Sequence, residues 1–175
     1  DYHAQMASLL ESPTTFRMLN DPGRVAGPQQ FSVGTNADNA DQELAVAQSV
    51  MWNSQPGGVT PLVQHIHEIR ENVLELEPQL RENGTKVAIV LATDGLPTDP
   101  QGYSNFTVKQ QFVQALRSLE GLPVWIVVRL CTDEDDVVEY YNDLDAQLEL
   151  SLEVLDDLSA EAQEVHEFNN WLTYG

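Results

Sequence analysis

The chain has 175 residues, 42% of them hydrophobic, which is enough for one domain with a substantial core and excludes wholesale disorder. Eight Lys and Arg stand against 28 Asp and Glu, a net charge of −20, and no Lys or Arg follows Arg129 while acids continue to Glu167. Such a surface repels phosphate backbones and excludes nucleic acid as a partner, because that affinity comes from cationic side chains displacing counterions. It suits cations or basic partners, a solvated acidic face being the plainer reading.

The longest apolar runs, 87–92 and 124–128, fall far short of the ~20 residues that cross a bilayer, so no membrane-spanning segment is expected. No signal or targeting segment is visible, and the abrupt opening leaves room for an upstream portion. Cys131 is the only cysteine, which rules out an internal disulfide and a Cys-based zinc site and favours an intracellular, reducing compartment.

In chain order, residues 6–11 read as the tail of a helix that Ser12-Pro13 ends. A short strand is expected over 15–19, a turn at Asn20-Asp21-Pro22-Gly23, and a second short strand over 31–33. An amphipathic helix follows, with Asp41 able to cap it and Leu44, Val46, Ala47, Val50 and Met51 at helical spacing. The stretch from Trp52 to Gly58 ends it in a glycine-rich loop. Thr60-Pro61 then suits the start of another helix, Thr60 as N-cap and Pro61 in the first turn. Its inward stripe is Leu62, Ile66, Ile69, Val73 and Leu76, and Asn83-Gly84 closes it.

Residues 87–92 form an apolar run without alternation, the pattern of a strand buried on both faces of a parallel sheet. A helix over 108–119 turns Phe112, Val113, Leu116 and Leu119 inward, and a second buried strand runs over 124–130. The acids Asp133, Glu134, Asp135 and Asp136 suit a helix N-terminus. Val137, Tyr140, Tyr141, Leu144 and Leu148 form the inner face of that helix. An edge strand over 150–155 and a last helix over 159–172 complete the order. Alternating strands and helices of this length imply one α/β domain over 1–175, a doubly wound, mostly parallel sheet with helices on both faces.

In open α/β sheets ligands bind beyond the carboxyl ends of the strands. Asp94 stands at that end of the most hydrophobic strand, followed by Gly95, whose missing Cβ frees the backbone to turn. Thr60 opens a helix after the loop containing Gly57 and Gly58, so its hydroxyl faces the same rim if the two elements are neighbours. A hydroxyl and a carboxylate together make a hard-oxygen environment, suited to Mg²⁺, Mn²⁺ or Ca²⁺. Taken singly, Thr60 and Asp94 read more simply as caps of a helix and a turn.

Taken together they are more specific. Gly57-Gly58-Val59-Thr60-Pro61-Leu62 heading an amphipathic helix, then a buried strand ending Thr93-Asp94-Gly95-Leu96-Pro97-Thr98-Asp99, resembles the second and third metal-site motifs of von Willebrand factor A-type domains. The resemblance runs from about Phe16 onward. It implies a divalent cation, Mg²⁺ or Mn²⁺ or Ca²⁺, at the top of the sheet, with Thr60 and Asp94 at the family's threonine and aspartate positions. It further implies a protein partner whose acidic residue completes the coordination. The family's first motif, Asp-x-Ser-x-Ser at the end of the central first strand, has no match, since Asp1 is followed by Tyr2-His3-Ala4-Gln5. That central strand and two serine ligands are therefore expected upstream of Asp1 or from another polypeptide, and cation binding by these residues alone is expected to be weak or absent.

Less weight falls elsewhere. His65 and His67, two apart, point in different directions on a helix and read as surface residues. The acidic run 133–136 lacks the alternating ligands and glycine of a calcium loop. Trp52, Trp125 and Trp171 read as core or interface anchors. Asn83-Gly84-Thr85 and Asn105-Phe106-Thr107 match a glycosylation tripeptide by coincidence. The function expected is a cation-dependent protein-binding module, not an enzyme. The alternatives are a structural subunit of a larger assembly with a degenerate metal site and, behind it, a metal-assisted hydrolase using Asp94. No Gly-x-Gly-x-x-Gly, Gly-Lys-Ser/Thr or Gly-x-Ser-x-Gly motif supports other catalysis.

Overall fold

Apolar residues alternate along two short stretches near the start, and in the computed structural model these pair as an antiparallel ribbon. Strand β1 (Thr14–Arg17) lies against β2 (Gln30–Val33), with Phe16 opposite Phe31 and their rings stacked 5.5 Å apart. The structure describes residues 2–9, 13–55, 57–148, 151–155, 162, 165, 166 and 169. It divides into two units, Asp1–Pro61 and Leu62–Gly175.

The first unit closes one face of the ribbon with helices α1 (Tyr2–Leu9) and α2 (Ala40–Asn53). Ala4, Ala7, Ala47 and Val50 pack with Phe31 and Val33, and Phe16, Met18, Leu44 and Met51 are partly buried around them. Small residues on both helices let the backbones approach the ribbon closely, which suits so short a sheet. Two expectations differ here. A 3-10 turn, Ala37–Asn39, leads into α2, so Asn39 takes the cap position and Asp41 falls in the first turn, where its charge still complements the helix dipole. Val46, expected inward, is exposed, because the buried stripe is narrow and centred on Ala47 and Val50.

The second unit is mixed α/β: a three-stranded parallel sheet flanked by helices. Strand β3 (Val87–Thr93), β4 (Val124–Leu130) and β5 (Leu152–Leu155) lie in that order. The connections are helices α4 (Phe106–Arg117) and α5 (Asp135–Gln147), as parallel neighbours require a crossover. Helix α3 (Leu62–Asn83) precedes β3 and packs beside α4. The register sets Ile89 beside Ile126 and Leu152, and Leu91 beside Val128. With Thr93 and Leu130 these make one buried face of the sheet. Phe112 of α4 meets Tyr141 of α5 edge to face at 6.4 Å, and both rings are fully buried. Five buried aliphatic side chains of this face, Ile89, Leu91, Ile126, Val128 and Leu130, contribute on the order of 10 kcal/mol of transfer free energy before conformational entropy is subtracted.

The opposite face corrects an expectation. Residues 87–92 do not form a strand buried on both sides: Ala88, Val90 and Ala92 are exposed, Val90 by 64%, and Trp125 beside Ala88 is exposed by 45%. An unbroken apolar run signals two-sided burial, but among the described residues only one side is covered. Pairing to β4 also leaves β3 at the edge of the described sheet. Val87 N–H donates to Pro123 and Thr93 C=O accepts from Cys131, so the intervening N–H and C=O groups of Ala88, Val90 and Ala92 point to the open edge.

Helix ends follow local chemistry. The Asn105 side chain accepts from Val108 N–H at 3.1 Å and caps α4. Gly84 ends α3 in the left-handed conformation, and Thr85 N–H closes back onto Leu80 C=O. Two arginines of α3 fasten it to the turn after α4: Arg70 Nε donates to Ser118 C=O at 3.1 Å and Arg81 Nη2 to Gly121 C=O at 2.7 Å. The buried stripe of α3 stops at Val73, and Leu76, expected inward, is 47% exposed. The strand expected over 150–155 is β5. Of the helix expected over 159–172, residues 162, 165 and 166 are helical and Asn169 N–H donates to Val165 C=O at 2.7 Å. The remaining residues of that helix, with Trp171, lie outside the described residues, as do 10 and 11 of the first one.

Candidate functional site

The carboxyl ends of β3 and β4 lie level, Thr93 beside Leu130, so the loops after them share one rim of the parallel sheet. Asp94 is the first residue of that rim. Its carboxylate is exposed and has no hydrogen-bond or ion-pair partner among the described residues. The turn beneath it is fixed. The buried Thr93 hydroxyl donates to Gly95 C=O at 3.1 Å, and the Tyr141 phenol of α5 donates to the same carbonyl at 3.1 Å. Two donors on one carbonyl hold the backbone on either side of Asp94 while its side chain projects to water. Burial pushes the Tyr141 phenol above its ordinary range, its neighbour Tyr140 adds to the rise, and the Thr93 hydroxyl counters part of it.

Gly95 does not have the role expected of it. Its φ is not positive, and a Cβ built there meets nothing within 4 Å. The anchoring of its carbonyl, not conformational freedom, shapes the turn. Farther along, Asp99 accepts from Gln101 N–H and Tyr103 N–H, both at 2.9 Å, and its own N–H donates to Tyr103 C=O at 3.0 Å. This knot holds a loop that exposes Tyr103 and, at the start of α4, Phe106. On the other side of the rim, Glu134 takes the cap position of α5 and Asp135 and Asp136 fill its first turn, as the acidic run implied.

The glycine-rich loop belongs to the first unit and is built differently. Gly57 has φ +150° and Gly58 +107°. Asn20 Nδ2 donates to Val59 C=O at 2.8 Å and to Gly57 C=O at 3.3 Å. A Cβ on Gly58 would come within 2.8 Å of Asn20 Cγ and Nδ2. Glycine is required here on two counts, a φ that L side chains rarely adopt and a clamp with no room for a methyl group. The sequence marked Asn20 only as part of a turn. Its wider role has a faint signal, an amide followed by Asp21-Pro22-Gly23, but nothing that names Gly57 or Val59 as its target.

Thr60 lies just past this clamp and is half-buried. Helix α3 opens at Leu62, so Thr60 and Pro61 lead into it. Thr60 is placed by the first unit and Asp94 by the second. His65, expected on the surface, is buried at 4%, with Nδ1 3.6 Å from Glu68 Oε2. It lies three residues after Leu62 on the inward stripe, which was the available signal. His67 is exposed, and with Val63, Thr107, Gln110, Gln111 and Gln114 it lines an open groove of about 420 Å³ between α3 and α4. Trp52 is 79% exposed, so neither it nor Trp125 is a core anchor.

Among the described residues no group of three or more His, Cys, Asp or Glu side chains is arranged to hold a metal ion. A hard cation there would rest on the Asp94 carboxylate, on hydroxyl or carbonyl oxygens and on water. That donor set fits Mg²⁺, which dehydrates reluctantly and is commonly held by one or two carboxylates with several waters retained. No protein-family model matches the chain, and no curated protein matches it. Among the described residues no helix is long and apolar enough to cross a membrane.

Proposed function

We propose that this chain is a divalent-cation-dependent protein-binding module of the von Willebrand factor A type, built on a doubly wound sheet. The observation that supports it most is the Asp94 carboxylate, exposed and without a partner among the described residues, at the carboxyl end of a parallel strand, on a turn pinned by Thr93 and Tyr141. A carboxylate held in place but left unpaired is poised to take a cation from solution, and the net charge of −20 raises the local cation concentration. In this reading water and a partner's acidic side chain complete the shell around the cation that Asp94 holds. The bound cation serves as a bridge between two carboxylates that would otherwise repel.

The open edge of β3 agrees with this reading. Among the described residues β3 is a seven-residue, uncharged edge strand without the lysines or prolines that normally guard an edge, which is what a position beside a further strand would show. A strand supplied from outside the described residues would pair with Ala88, Val90 and Ala92.

Calorimetric titration with Mg²⁺ and Mn²⁺ tests the assignment. The expected result is saturable binding that Asp94→Ala abolishes, with unfolding midpoints unchanged in the absence of metal. Identical heats for the Asp94→Ala variant would overturn it.

A second reading, a structural subunit of a larger assembly with a degenerate metal site, draws on the bare apolar face at Ala88, Val90, Ala92 and Trp125. It expects a silent titration together with association through that face.

A further inference from the structure

We draw no further inference here: the strongest candidate, the exposed apolar face that Ala88, Val90, Ala92 and Trp125 form on the three-stranded sheet, carries none because nothing in the structure shows what covers it.

Discussion

The two hydroxyls that meet at Gly95 make the pinned turn open to a quantitative test. Tyr141→Phe removes one donor and keeps the ring, so packing against Phe112 at 6.4 Å and Tyr140 at 5.1 Å is retained. The Gly95 carbonyl then still accepts from Thr93, and the net loss is that of one hydrogen bond, about 1 kcal/mol. Thr93→Val removes the other donor and also the acceptor for Gly95 N–H at 3.3 Å, so it costs slightly more, about 1–2 kcal/mol. The double variant differs in kind, because it leaves the carbonyl with neither donor. Gly95 is only half-buried and water can replace part of what is lost, which limits the coupling to about 0.5–1 kcal/mol beyond additivity. Urea unfolding of the four proteins gives the cycle directly. Effects that sum to within about 0.3 kcal/mol, or a Tyr141→Phe protein as stable as the parent, would show that the two donors do not share the carbonyl.

The same tyrosine sets an alkaline limit. Burial pushes Tyr140 and Tyr141 above the ordinary value of 10.0, so the folded state keeps protons that the unfolded state releases. Stability is complete below about pH 10 and falls as pH rises beyond it, by up to about 1.4 kcal/mol per pH unit for each phenol; a urea midpoint that stays flat to about pH 12 contradicts this. Gly58→Ala forces a methyl group against Asn20 at a φ of +107° and costs more than about 1 kcal/mol, whereas Gly95→Ala meets open space and is neutral or stabilising by up to about 1 kcal/mol. Thermal melts of the two variants should therefore move apart, and a larger loss for Gly95→Ala refutes the contrast. Val90→Lys should leave the melting point unchanged, since Val90 is 64% exposed; a clear drop in a thermal melt would mean that this side chain is covered.

The elements of this protein were legible where apolar spacing is long and regular. The stripes at Phe112 and Leu116, and at Val137, Tyr141 and Leu144, name their buried faces, because a helix spanning three or four turns repeats its signal several times. The exposure of Ala88, Val90 and Ala92 was not legible, since an apolar run reports what could be buried and not whether anything covers it. His65 was misread because its neighbour His67 drew attention to a pair, while its own distance of three residues from Leu62 marked it as inward. Asp94 was found through a motif and a strand end. What holds it, Tyr141 reaching Gly95 across 46 residues, is a tertiary hydrogen bond that no local pattern encodes. The Asn20 clamp on Gly57 and Val59 is hidden for the same reason.

The two arginines of α3 each hold a neutral carbonyl and a carboxylate at once. Arg70 donates to Ser118 C=O and pairs with Glu71 at 2.8 Å, Arg81 donates to Gly121 C=O and pairs with Glu77 at 2.7 Å, Arg17 reaches the Gln30 amide, and the Lys109 ammonium lies 4.9 Å from the centre of the Tyr140 ring. Eight Lys and Arg cannot offset 28 Asp and Glu, however they are placed. Dissolved salt must take over that task, and at about 0.15 M its screening length of about 8 Å is short enough to separate most of those charges. Added electrolyte would therefore relax the self-repulsion while leaving the carbonyl and ring contacts nearly intact. A molecule built this way is firmer in brine than in dilute buffer.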